Sequence, residues 1–175
     1  MFGLDARIAL AIFGALSVIS GAALYSAIKE ARVISAIVEL QEMAKAVVAY
    51  HLDIGSSVPQ NSSTPNRLNI GELVQSAEPA WRGPYLPYEW SSETVIDSSK
   101  FGPVRIALWL SDFSASCSDL KDSDCKLWIQ IHKSATPGVE NLMNDIDLKV
   151  DGVVDGLSGS VTRNGPFYMY KIDVK

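Results

Sequence analysis

The sequence predicts an α+β fold: one long N-terminal helix whose C-terminal half packs on a small antiparallel β-sheet. Three observations predict it. Residues 8–28 contain no charged side chain, apolar positions after Arg32 recur at three- and four-residue steps, and β-branched and aromatic runs dominate from about Val104 onward. At 175 residues and 47% hydrophobic content, the chain can bury one compact core and carry one further element.

The run IALAIFGALSVISGAALYSAI is long enough to cross a bilayer as a helix, so the chain is expected to meet a membrane. A cleavable secretory signal would have a basic start, a shorter apolar core and a polar mature sequence after it. Here the apolar run passes directly into an amphipathic pattern. Val33, Ile37, Leu40, Ala44 and Val47 fall on one side of the wheel, and Arg32, Glu39, Glu42 and Lys45 elsewhere. One helix is predicted to about Asp53, with Gly55 and Pro59 completing the stop. The chain thus divides into an apolar helix over 1–28, its amphipathic continuation over 29–54 and a head over 55–175.

Beyond the helix, GSSVPQNSSTPNRLN reads as an exposed loop. Asn61-Ser62-Ser63 is formally an N-glycosylation sequon, and an ordinary polar loop is the plainer reading. A short helix is predicted over Ile70–Ser76, followed by a turn-rich extended path through Pro84 and Pro87. VRIALWLSDF and KLWIQIHK are predicted to pair as an antiparallel hairpin, with Cys117 and Cys125 in the polar loop between them. Two cysteines so close, without a CxxC pair, read as a disulfide and imply an oxidising compartment. Pro137-Gly138 opens a predicted short helix carrying Val139, Leu142, Met143, Ile146 and Val150. A final hairpin follows, with Asn164-Gly165 at its turn and Phe167–Val174 as the closing strand.

The charge balance disfavours nucleic acid as the main partner: 15 basic residues oppose 20 acidic ones, for a net charge of −5. No nucleophile elbow, phosphate-binding glycine loop or HExxH helix is present, and His51 and His132 read as ordinary surface or partly packed residues; an enzyme is not expected. Asp145, Asp147, Asp151 and Asp155 supply the hard oxygen ligands calcium prefers. Their spacing is not that of an EF-hand loop, and a solvated acidic face is the favoured reading.

The start MFGLDARIALAIFGAL resembles the mature N-terminus of type IV pilins and of their type II secretion pseudopilin relatives. Counted from Met1, Asp5 falls where the family carries a glutamate, and Ile8, Ala11, Ile12, Gly14 and Leu16 fit its pattern in register. The order AYHLDIGSSVP, GELV, WRGPYLP is similar to the region after the helix in major pseudopilins and several pilins. The chain departs from the pattern at Arg7, where an apolar residue is usual, and around Gly21-Ala22, where a helix-breaking proline is common.

The resemblance implies a processed chain whose Met1 is N-methylated, stored in the inner membrane with a periplasmic head and assembled into an extracellular helical homopolymer. The polymer would serve adhesion, motility or DNA uptake, or the export role of a pseudopilus. It implies as partners a prepilin peptidase, an assembly platform with its ATPase, and minor pilins. A parse that cleaves after Gly3 loses the acidic register. In the family the acid meets the N-terminal ammonium of a neighbouring subunit; here Asp5 would take that role, with Arg7 as the other available partner. Gly14 and Gly21 each cost about 1 kcal/mol relative to Ala in a helix. They mark either where the helix melts on polymerisation or a close small-residue packing seam. Some pilins carry O-linked sugar, for which Ser62, Ser63 and Thr64 are the candidates, and major pseudopilins bind calcium in their C-terminal half. Rival readings are a membrane-anchored binding module that never polymerises and, with least support, a tethered hydrolase.

Overall fold

A computed structural model describes residues 3–117 and 124–173. It divides between Ser35 and Ala36 into two compact units, although helix α1 runs unbroken over Gly3–Ile54. In the first unit α1 is regular throughout, with its large apolar side chains from Ile8 to Ile28 exposed. The helix ends where predicted: Gly55 adopts φ 78°, and its N–H donates to His51 O at 2.8 Å. That left-handed conformation suits glycine because no Cβ meets the preceding carbonyl.

The second unit is an α+β head. Its sheet has six strands: β1 (Trp90–Ser92), β2 (Val95–Ser98), β3 (Gly102–Leu110), β4 (Cys125–His132), β5 (Val161–Asn164) and β6 (Phe167–Ile172). Their order is β1-β2-β3-β4-β6-β5, and every neighbouring pair is antiparallel. Helix α2 (Val139–Val150) lies between β4 and β5 in sequence.

Side chains alternate across a strand, so the register sorts the sheet into two faces. Val104, Ile106 and Leu108 share one face with Ile131, Ile129 and Leu127, and then with Tyr168, Tyr170 and Ile172. This face meets the Ala36–Ile54 part of α1, whose Ala36, Leu40, Met43, Val47 and Tyr50 are buried. Each large apolar side chain so buried contributes about 1.5–3 kcal/mol. Helix α2 sits on the same side: Asn144 Oδ1 accepts from Arg163 Nη2 at 2.5 Å and from Tyr168 Oη at 3.3 Å.

Several boundaries differ from the sequence reading. The helix predicted over Ile70–Ser76 is a single 3-10 turn, Ile70–Leu73, too short to repay α nucleation. Strand β3 starts earlier than predicted and stops at Leu110, because Asp112 Oδ1 accepts from Ser114 N and Oγ and turns the chain. Strands β1 and β2 form just beyond Pro87, where the sequence predicts no strand. The last hairpin turns on Gly165 (φ 57°) and Pro166, since Asn164 pairs with Phe167. Its closing strand ends at Ile172, and Val174 lies outside the described residues.

Candidate functional site

Met1 lies outside the described residues. Asp5 is the acidic residue of the first turn of α1, where the unpaired N–H groups of a helix favour negative charge, and Arg7 is exposed on the same helix. From Ile8 to Ile28 the large apolar side chains are 52–73% exposed. The helix is long and apolar enough to cross a membrane. Among the described residues, a Cβ added at Gly14 or Gly21 would meet nothing within 4 Å, so no contact there demands a small residue.

Farther along, α1 carries a second uncovered apolar surface. A shallow groove is lined by Ala44, Lys45, Val48, Ala49 and Leu52 together with Asp173. Leu52 is 75% exposed.

The sequon residue is engaged by its own loop. Asn61 Oδ1 accepts from Ser63 N, Thr64 N and Thr64 Oγ1 at 3.0–3.1 Å, while Nδ2 donates to Asn69 Oδ1 and Glu93 Oε2. The atom that would bear an N-linked sugar is thus held by two acceptors. Ser62 and Ser63 are exposed, and Thr64 is half-buried.

The four acidic residues lie on α2 and in the segment after it. Among the described residues, no three His, Cys, Asp or Glu side chains are grouped so that they could hold a metal ion. Asp151 receives Ser160 N–H and Val161 N–H at 2.8–3.0 Å and packs against Gly159, where an added Cβ would meet the carboxylate. Asp155 caps Leu157 N and Ser158, which holds its pKa below the ordinary value. Asp147 is buried, with Oδ2 3.3 Å from Gly156 N; burial raises its pKa, and Asp151 and Asp155 add to the rise. Asp145 is half-buried on α2. At Asp151 and Asp155 the carboxylates fold the loop: Asp151 accepts the N–H groups of Ser160 and Val161, and Asp155 accepts those of Leu157 and Ser158 together with the Ser158 hydroxyl.

Cys117 and Cys125 form the expected disulfide, with Cα atoms 6.0 Å apart. It links the start of β4 to the segment beyond β3. His132 Nδ1 lies 2.8 Å from Ser134 Oγ and its ring stands edge-on to Phe167, whereas His51 is exposed in the last turn of α1.

The sequence reading missed two features. Glu39, placed on the polar side of α1, is tied to the sheet instead: Ser98 Oγ donates to Oε1 at 2.5 Å and Lys100 Nζ lies 2.9 Å from Oε2. The second feature is the sheet face turned away from both helices. Its register brings Arg67, Ala107, Trp128 and Lys171 into one row, and Trp109 beside Lys126 and Arg105 beside Gln130 into flanking rows. The two-residue alternation of VRIALWL and KLWIQIHK signals those flanking pairs; the Arg67 and Lys171 contributions depend on tertiary pairing.

Compared with known proteins, the chain matches no protein-family model, no curated protein and no solved structure.

Proposed function

We propose that the chain is a subunit of an extracellular helical filament of the type IV pilin kind, held in a membrane by the first part of α1 before assembly. The reading is carried by one observation. Among the described residues, nothing covers the large apolar side chains from Ile8 to Ile28, on a helix that continues into a folded head. Such a segment is stable in only two surroundings, lipid or a bundle of other apolar helices. Transfer between them is a mechanism for assembly: lipid stores the subunit, and the helix bundle becomes the filament core.

Two further features support the reading. Asp5 near the tip is costly to bury unless paired, so it favours the register in which it meets a cation, either a neighbour's N-terminal ammonium or Arg7. The Ala44, Val48 and Ala49 surface offers small side chains that let a neighbouring helix approach closely. Adhesion, motility or DNA uptake would be the filament's work; a pseudopilus of a secretion system is the alternative within the same assembly.

The test is intact-mass and N-terminal analysis of protein sheared from the cell surface, with electron microscopy of the same fraction. Fibres containing this chain with a methylated first residue are the expected result. Recovery only as monomers from detergent-extracted membrane, with no sheared fibres, would leave a membrane-anchored binding module instead.

A further inference from the structure

The segment that joins α2 to β5 buries one residue. From Gly152 to Gly159 every position is exposed except Gly156. The Gly156 N–H donates to Asp147 Oδ2 at 3.3 Å, and its carbonyl accepts from Arg163 N at 2.8 Å. Gly152 (φ 80°) and Gly159 (φ 95°) stand at the two ends, in a conformation that glycine adopts at little cost. Between them Asp155 accepts the N–H groups of Leu157 and Ser158, which gives the segment local structure of its own. At its base Asp151 accepts the N–H groups of Ser160 and Val161 and so ties the two ends together.

The seat beneath Gly156 is a strained one electrostatically. Asp147 is 3% exposed, and its Oδ1 has no hydrogen-bond partner among the described residues. A buried carboxylate with one oxygen unsatisfied is costly in its charged form, a cost that water or a proton relieves. Asp151 at the end of α2 and Asp155 on the segment add like charge, Arg163 on β5 opposes them, and Tyr168 on β6 feels the same carboxylate. The balance raises the Asp147 pKa above its ordinary value, with burial as the largest cause. Lifting Gly156 would admit water to Asp147 and carry Asp155 away from it. Little apolar contact resists the movement, because Val153, Val154 and Leu157 are 48–86% exposed while the segment is down.

We propose that residues 152–159 form a strap that lifts at Gly156 while the rest of the head stays folded, and that the charge on buried Asp147 sets how often it lifts. The ionised carboxylate favours the open strap and the protonated one the closed strap. The inference is independent of the filament reading.

The experiment follows amide hydrogen exchange of the full-length chain in detergent, corrected for the intrinsic effect of pH on exchange, from about pH 4 to about pH 7 and in zero and low urea. The Gly156 and Arg163 amides report the strap, and the β4 amides report the whole head. Strap amides are expected to lose protection several-fold as pH rises, through an opening that low urea barely changes, whereas the β4 amides respond to urea. Asp147→Asn should remove most of that pH dependence. Gly156→Ala is a second probe, useful even where Asp147→Asn does not fold. Alanine is strained at φ 61°, and its Cβ would stand 2.9 Å from Arg163 Cγ and Cδ, so this variant should lower strap protection at every pH with the circular dichroism of the head unchanged. Strap protection that is constant with pH in the wild type, or a pH dependence that survives in Asp147→Asn, overturns the proposal. Strap amides that share the urea sensitivity of β4 would mean that the segment opens only when the whole head unfolds, and full protection in Gly156→Ala would mean that Gly156 is not its anchor; either result also overturns it.

Discussion

Glu39 Oε2 on helix α1 lies 2.9 Å from Lys100 Nζ in the turn between β2 and β3, and Glu39 Oε1 accepts the Ser98 hydroxyl. The Glu39 side chain is 9% exposed and that of Lys100 is 31% exposed, so the pair is largely withdrawn from water. The same carboxylate, after burial, pushes the Tyr88 phenol well above its ordinary pKa. Ser98 Oγ in turn accepts the N–H groups of Lys100 and Phe101. One carboxylate therefore orders a turn and fixes the helix to the sheet.

Replacing Glu39 by Ala leaves Lys100 without this partner and removes an acceptor from the Ser98 hydroxyl. The expected loss is about 2 kcal/mol of head stability, within the range for hydrogen bonds to charged groups. Glu39→Gln keeps an acceptor and should lose less. Urea unfolding of both variants checks this, with a lowered midpoint at unchanged slope as the expected outcome.

This pair also shows where sequence reading stops. The apolar periodicity of Leu40, Ala44 and Val47 makes the helix legible, and Gly55 makes its end legible, because both signals are local. Glu39 shares that helix, and periodicity can only place it off the apolar stripe; its partners lie 59 and 61 positions away, a relation no local pattern carries. The hairpin of β3 and β4 is legible for the same reason as the helix. Strands β1 and β2 are not, since Trp90–Ser92 and Val95–Ser98 are too short for alternation to accumulate. At the candidate site, the exposed apolar segment is plain from composition. The sheet face opposite the helices needs the register of β3, β4 and β6 and of the Arg67 bridge to β3.

Asp147 gives a pH dependence with a definite sign. Burial raises its folded-state pKa above the ordinary 3.8, so the folded state holds the proton more tightly than the unfolded chain does. At low pH, where both states are protonated, the residue costs nothing. As pH rises from the ordinary value through the raised one, folding must bear a buried charge and stability falls. Asp147→Asn keeps an oxygen acceptor for Gly156 N–H and removes that charge. The variant should therefore gain on the wild type progressively as pH climbs from about 4 toward neutrality, as read from denaturation midpoints across the range. A constant difference between the two proteins would contradict the assignment.

The disulfide spans a separation of 8 residues, so its constraint on the unfolded chain is modest, about 2.5 kcal/mol on the loop-entropy estimate. Strand β4 keeps its ladder to β3 and β6 without it. Joint replacement of Cys117 and Cys125 by Ala should lower the urea midpoint by that order while leaving the far-ultraviolet circular dichroism unchanged. Loss of the folded spectrum in the double variant would show that the bridge organises the sheet and does more than tether the loop beside it.

Asp5 tests the assembly reading most directly. An acid near the tip of an apolar helix adds nothing to membrane insertion, which the residues after it drive, but inside a bundle of helices it must find a cation or be protonated. Asp5→Ala is therefore expected to leave the chain in the membrane fraction and reduce sheared fibres by more than about tenfold, while Asp5→Glu retains them. Arg7→Ala separates the two partners. If Arg7 neutralises the acid, its removal should match the Asp5→Ala defect; if a neighbour's N-terminal ammonium does so, fibres should persist in Arg7→Ala and fall when the amine is acetylated. Wild-type fibre yield from Asp5→Ala would mean that the acid takes no part in placing one subunit against the next.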